Sequence, residues 1–145
     1  MDRIYRVTVE RCIACGECEL ACAFAHGHPG APGVPRIHVR RLGPERGIPL
    51  TCFQCPDAAC AAVCPTAALV RSEETGAIVL LDGHCIRCGL CVGACPFGNM
   101  VRDGLGHQAA KCDLCGGEPA CVPFCPTQAL EILPIQPAPV AAGAR

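Results

Sequence analysis

The chain has no tryptophan, one tyrosine and four phenylalanines, so aromatic side chains account for only 3 % of its 145 residues. Methionine is scarce as well, with two copies. Much of the nominal 51 % apolar content is alanine and cysteine, which bury little area per residue. An apolar core built from these residues is thin for the chain length, and disulfides or metals must supply the rest. Gly and Pro fill 30 of the 145 positions, which argues against long regular elements. No apolar run approaches the length of a membrane span. Residues 1–7 carry neither the basic nor the apolar region of a secretory leader, and no twin arginine. The expectation is a cytoplasmic protein without direct membrane insertion. Thiols stay reduced in that compartment, so an even cysteine count there points toward metal. A net charge of −1 with few aromatics gives no footing for nucleic acid.

Cysteine is what the chain has in excess: sixteen residues, about 11 % of the sequence. They fall into four groups of four separated by cysteine-free stretches. Cys12, Cys15, Cys18 and Cys22 are spaced C-x2-C-x2-C-x3-C, and Cys85, Cys88, Cys91 and Cys95 repeat that spacing. Cys52, Cys55, Cys60 and Cys64 follow an expanded C-x2-C-x4-C-x3-C pattern. Cys112, Cys115, Cys121 and Cys125 follow C-x2-C-x5-C-x3-C. Pro65, Pro96 and Pro126 succeed the last cysteine of three groups, and Ala23 stands in that place in the first.

The tight spacing is the bacterial ferredoxin run for 4Fe–4S clusters, in which the fourth cysteine ligates the other cluster of a pair. Three closely spaced thiolates wrap a loop around three corners of a cube, and the fourth points away from it. Gly16, Gly89, Gly116 and Gly117 are placed to let backbone N–H groups approach the sulfides. A disulfide scaffold fits the cysteine count but not the missing leader or the fourfold repeat. A structural zinc-binding scaffold is the other alternative, since C-x2-C pairs are its usual signature. Zinc sites use pairs or triplets, often with histidine, and do not account for two copies of C-x2-C-x2-C-x3-C plus two expanded versions.

The groups alternate tight, expanded, tight, expanded. The expanded ones share a tail, Cys64-Pro65-Thr66-Ala67-Ala68-Leu69 and Cys125-Pro126-Thr127-Gln128-Ala129-Leu130. This reads as a duplicated two-cluster unit. Residues 3–9 alternate like a strand, residues 68–71 and 77–81 read as a hairpin around 72–76, and 130–133 form a last strand. The fold class is small α+β, loop-rich and held by clusters, with short helices expected after the fourth cysteines. Spacing alone leaves open which groups pair.

Cys12-Ile13-Ala14-Cys15-Gly16-Glu17-Cys18-Glu19-Leu20-Ala21-Cys22, Cys52-Phe53-Gln54-Cys55, Ala59-Cys60, Val63-Cys64-Pro65 and Lys111-Cys112-Asp113-Leu114-Cys115 carry a resemblance. The pattern, from Tyr5 to Leu133, is similar to the four-cluster ferredoxin-type subunits of oxidoreductase complexes. These accompany tungsten and molybdenum enzymes such as aldehyde oxidoreductase, CO dehydrogenases, formate dehydrogenases, hydrogenases and the DMSO reductase family. The resemblance implies two ferredoxin-like modules, the inner inserted into the outer. The outer module would span residues 1–44 plus 101–133, the inner one 45–100, with 134–145 a Pro/Ala-rich tail. It also implies four 4Fe–4S clusters, held by Cys12, Cys15, Cys18 and Cys125; by Cys22, Cys112, Cys115 and Cys121; by Cys52, Cys55, Cys60 and Cys95; and by Cys64, Cys85, Cys88 and Cys91. The chain lacks the long insertions of the larger members.

Such a chain is an electron carrier, not a catalyst by itself. Each oxidised cube with its four thiolates carries about −2, so four would add about −8 to the formal −1. Arg11, Arg71, Arg87, Arg102 and Lys111 lie near the groups as counter-charges, though each also fits ordinary solvated surface. His26, His28, His38, His84 and His107 read as surface or loop residues, and Gly104-Leu105-Gly106 as a turn. Residues 25–35 fit a docking loop or a simple connector. The expected partner is a catalytic redox subunit, with a tungsten or molybdenum aldehyde oxidoreductase-type enzyme favoured. Formate dehydrogenase, CO dehydrogenase and hydrogenase are the alternatives, together with a free polyferredoxin. A flavin- or NAD-linked subunit, or further copies of the chain, are additional partners.

Overall fold

The computed structural model describes residues 3–103 and 108–134. In chain order the elements are β1 (Arg3–Val7), α1 (Glu17–Ala25), β2 (His38–Gly43), β3 (Arg46–Leu50), α2 (Ala59–Ala62), β4 (Leu69–Arg71), β5 (Ile78–Leu80), α3 (Leu90–Ala94), β6 (Val101–Arg102), β7 (Ala109–Ala110) and β8 (Leu130–Pro134). The strands make four separate two-stranded sheets, β1–β8, β2–β3, β4–β5 and β6–β7, all antiparallel. The result is a small, loop-rich architecture of short helices and ribbons, in keeping with the α+β class expected.

The helices do not follow the fourth cysteines: α2 and α3 end just before Cys64 and Cys95, and α1 starts before Cys22 and runs through it. Gly16 and Gly89 sit in the left-handed region, with φ of 81° and 78°, one residue after the second cysteine of each tight group. That conformation reverses the chain and starts a helix at once, so Cys18 and Cys91 lie in the first turns of α1 and α3. Proline after the fourth cysteine then stops the helix, because it disfavours the helical conformation of the residue before it. Pro96 ends α3 at Ala94, whereas Ala23 lets α1 run on to Ala25.

The β4–β5 hairpin lies where the sequence places it, in the register Leu69↔Leu80 and Arg71↔Ile78. The first and last strands pair with each other across the whole chain, from Arg3↔Pro134 to Val7↔Leu130. The β2–β3 hairpin has no counterpart among the sequence expectations. Pro49 and Gly47 in β3 and a register shift between Arg41 and Gly43 obscure its period. Residues 25–35 fold back locally: His28 bridges Ala31, and the Gly33 N–H donates to the Ala23 carbonyl at 2.8 Å. Gly104-Leu105-Gly106, His107 and the tail beyond residue 134 lie outside the described residues.

Burial is divided among three small clusters, each containing cysteine. Ala14, Cys18, Cys22, Ile37, Val39, Cys121 and Leu130 form one, with Tyr5, Val7, Cys12 and Cys125 against it. Leu69, Ile78, Cys91, Met100 and Ala109 form another, with Cys60 and Cys95 packed on it. Ala77, Cys112 and Leu114 make the third, touching both Tyr5 and Cys52. No helix among the described residues is long and apolar enough to cross a membrane.

Candidate metal centres

The fourfold cysteine repeat has a backbone counterpart. Ala14, Gln54, Arg87 and Leu114 each stand just before the second cysteine of a group, and all four have positive φ, from 51° to 60°. Non-glycine residues visit this region at a cost, so four equivalent instances mark a built loop. A left-handed residue inside such a loop turns successive N–H groups into one concavity, which suits an anionic guest.

The shared C-P-T tails are a second repeated device. The Ala68 N–H donates to the Cys64 sulfur at 3.2 Å, and the Ala129 N–H to the Cys125 sulfur at 3.2 Å. The hydroxyls of Thr66 and Thr127 stand 3.7 and 3.8 Å from the same two sulfurs. Ala67 and Gln128, at φ of 50° and 53°, make the turns that bring these groups round. Although burial acts the other way, these donors hold both thiols below the ordinary range.

All sixteen cysteines are free thiols. Cys12, Cys15, Cys18 and Cys125 line one small cavity with Val39 and Leu130. Cys64, Cys85, Cys88 and Cys91 line a second with Leu69 and Leu80. Cys52, Cys55, Cys60 and Cys95 line a third, capped by Phe53 and Phe97 in edge-to-face contact, their ring centres 4.7 Å apart. Cys22, Cys112 and Cys115 stand around Cys121 closely enough to help raise its thiol pKa, and Cys115 acts on Cys22 in the same direction. In every gathering the sulfurs come from two of the sequence groups. A third and a fourth cysteine such as Cys18 and Cys22 are one helical turn apart on α1, about 6 Å of rise, yet face different gatherings.

Burial, reinforced by neighbouring thiols, pushes the Cys18 and Cys121 thiols up to about 12. Burial likewise raises Cys112 to about 11. Thiols raised in this way stay protonated unless a cation takes the protons' place, as the iron of a 4Fe–4S cluster would. Soft sulfur donors, four to a small apolar cavity, fit that group.

Several surrounding residues escape a reading by cysteine spacing. The Tyr5 hydroxyl lies 2.8 Å from the Cys121 sulfur. The Gln54 amide donates to the Cys112 carbonyl at 2.8 Å, and its oxygen accepts from the Ile78 N–H at 2.8 Å. Asp113 accepts from the Cys115 N–H at 2.9 Å and pairs with Arg36 at 2.7 Å. Two expectations are corrected here. Lys111 is not solvated surface but 3 % exposed, because the β6–β7 ribbon carries it inward beside Ile78. His26 is not a free loop residue: its side chain is 9 % exposed, with Nε2 3.2 Å from Asp113. Burial, with Arg36 nearby, lowers the His26 pKa despite that carboxylate. The only sequence signal is the adjacency of Gln54, Lys111 and Asp113 to cysteines; Tyr5, His26 and Arg36 carry none.

Residues 46–133 match the 4Fe-4S dicluster domain family, and residues 9–25 match a 4Fe-4S binding domain. The chain belongs to the 4Fe–4S dicluster family. This dicluster protein is 44 % identical over 120 residues to the aliphatic sulfonate oxidoreductase, polyferredoxin-like subunit, of Pyrococcus furiosus, spanning 82 % of this chain and 69 % of that one. It is 32 % identical over 170 residues to formate hydrogenlyase subunit 2 of Escherichia coli, covering 92 % and 82 % of the two chains. Among solved structures, a chain of the active-site complex BamBC of benzoyl coenzyme A reductase has a similar fold, with a TM-score of 0.53 at 24 % identity. That likeness covers 90 % of this chain and 76 % of the other. The dicluster protein is thus an electron-transfer iron–sulfur protein of the kind that serves as a subunit of oxidoreductase complexes.

Proposed function

We propose that this chain carries four 4Fe–4S clusters as a wire to or from a catalytic subunit. The observation that supports this is a chain of sixteen free thiols in which three small cavities are each lined by four cysteines from two sequence groups. The ligand sets are Cys12, Cys15, Cys18 and Cys125; Cys22, Cys112, Cys115 and Cys121; Cys52, Cys55, Cys60 and Cys95; and Cys64, Cys85, Cys88 and Cys91. An inner module from the second and third groups, inserted into an outer one from the first and fourth, fits the β1–β8 ribbon that joins the chain before the first group to the chain after the fourth.

A 4Fe–4S cluster held in each set would supply one-electron redox chemistry. The chain's residues set the rest. The fourth cysteine of each group holds a set other than that of its three neighbours, which keeps consecutive sets close enough for electron hopping. The Ala68 and Ala129 N–H groups and the Tyr5 hydroxyl aim donors at sulfur, which favours the more negative state. Phe53 and Phe97 shield one set from water.

For the partner we favour a tungsten or molybdenum enzyme of the aldehyde oxidoreductase type, following the four-cluster resemblance. The sulfonate oxidoreductase and formate hydrogenlyase relatives support a subunit role. Anaerobic purification should yield a brown chain with about sixteen irons and as many sulfides. A colourless chain with about four zinc ions overturns the reading. Native co-purification should bring down a subunit containing tungsten or molybdenum; a chain isolated alone favours a free polyferredoxin.

A further inference from the structure

Lys111 is the only lysine among the twelve basic residues of the chain. It is 3 % exposed, and it lines the cavity of Cys52, Cys55, Cys60 and Cys95. Its Nζ donates to three acceptors: the Ile78 carbonyl, the Cys112 carbonyl at 2.6 Å and the Gln54 Oε1 at 3.2 Å. Three acceptors engage all three N–H bonds of an ammonium, whereas a neutral amine would turn its lone pair onto an oxygen. None of the three is a carboxylate, and no ion pair among the described residues includes Lys111.

A buried cation held only by neutral oxygens is costly unless an anion lies close by. The side chain's place on the cavity wall identifies that anion. We infer that Lys111 is the internal counter-charge of the iron–sulfur site formed by Cys52, Cys55, Cys60 and Cys95, and that it raises the reduction potential of that site above what its ligands alone would set. The inference rests on the ligand sets proposed above. A positive charge held in a poorly solvated position favours the state with one more electron. The same ammonium bridges this set and that of Cys112 through the Cys112 carbonyl, on the route between inner and outer cysteines. A compact ammonium suits this three-oxygen cage; a planar guanidinium, with its donors spread over a fork, does not.

The test is an EPR-monitored anaerobic redox titration of the loaded full chain. K111Q removes the charge. Q54E leaves Lys111 in place and puts a carboxylate where Gln54 Oε1 now stands, so it carries the test if K111Q does not fold. Q54L removes the same acceptor without changing the charge. In K111Q and Q54E one site should show at least a tenfold lower reduced-to-oxidised ratio at fixed applied potential, about 59 mV for one electron. Q54L should leave that ratio within about twofold. Unmoved potentials in a fully loaded K111Q or Q54E overturn the inference, as does a Q54L shift as large as theirs. Iron content separates the two levels: a chain without about sixteen irons contradicts the ligand sets themselves, while a full complement with unmoved potentials contradicts only the role of Lys111.

Discussion

The Tyr5 hydroxyl meets the Cys121 sulfur at 2.8 Å across 116 positions of sequence. The β1–β8 pairing makes this contact, because Tyr5 lies opposite Ile132 in the register that joins the two ends of the described chain. The single tyrosine therefore serves both as packing for two burial clusters and as a donor to a sulfur.

Y5F should lower the potential of the site containing Cys121, since a lost donor to sulfur disfavours the more negative state. The expected size is about 1 kcal/mol, some tens of millivolts, read by redox titration. The variant also carries a pH signature. Burial, then the thiols of Cys112 and Cys121, push the phenol above its ordinary range. A raised group keeps its full contribution below the unfolded value, near 10, and loses it as pH rises further and the unfolded chain gains phenolate. Denaturant midpoints measured on either side of pH 10 should fall more steeply for the native chain than for Y5F.

Cysteine substitutions should group by gathering and not by sequence run. C18S and C125S should disturb the same EPR signal, while C22S, one helical turn from Cys18, should disturb another along with C121S. Each should reduce iron from about sixteen to about twelve per chain. Shared effects within Cys12–Cys22 would refute the cross-ligated sets.

Glycine tests the loop backbone. At Gly89, φ is 78° and an added Cβ would run into the Arg102 guanidinium, so G89A must strain the backbone and displace a side chain. At Gly98, φ is 67° with open space around the added carbon, so G98A meets only the backbone cost, about 1 kcal/mol. Thermal melts of the loaded proteins should place G89A below G98A, and G98A slightly below the native chain.

Iron removal should unfold the protein. The largest fully buried side chains are only Ile37, Leu114 and Leu130, and each burial cluster includes cysteine. Acid or chelator treatment under reducing conditions should abolish the far-ultraviolet signal of the β1–β8 and β2–β3 ribbons. Iron and sulfide reconstitution should restore it.

The cysteine groups, their alternation and the 4Fe–4S chemistry were legible because ligation needs fixed short spacings, which a linear text displays. The β4–β5 hairpin was legible for the same local reason. Helix placement was misjudged: the left-handed turns at Gly16 and Gly89 begin the helices a few residues earlier than the trailing prolines suggest. The β2–β3 hairpin was hidden by Pro49 and a register shift.

What the sequence by itself determined is therefore the donor set: sixteen thiols, the loop turns between them and the prolines that end their helices. Tertiary structure decided which thiols face one cavity, for the partners of Cys18 and Cys125 are brought together by chain closure through β1 and β8 and not by local spacing. It also decided the fate of Lys111, a charge that in sequence looks like any solvated side chain. Its burial and two of its three oxygens, on Gln54 and Ile78, depend on segments more than 30 residues away, and no local pattern encodes a distance of that kind.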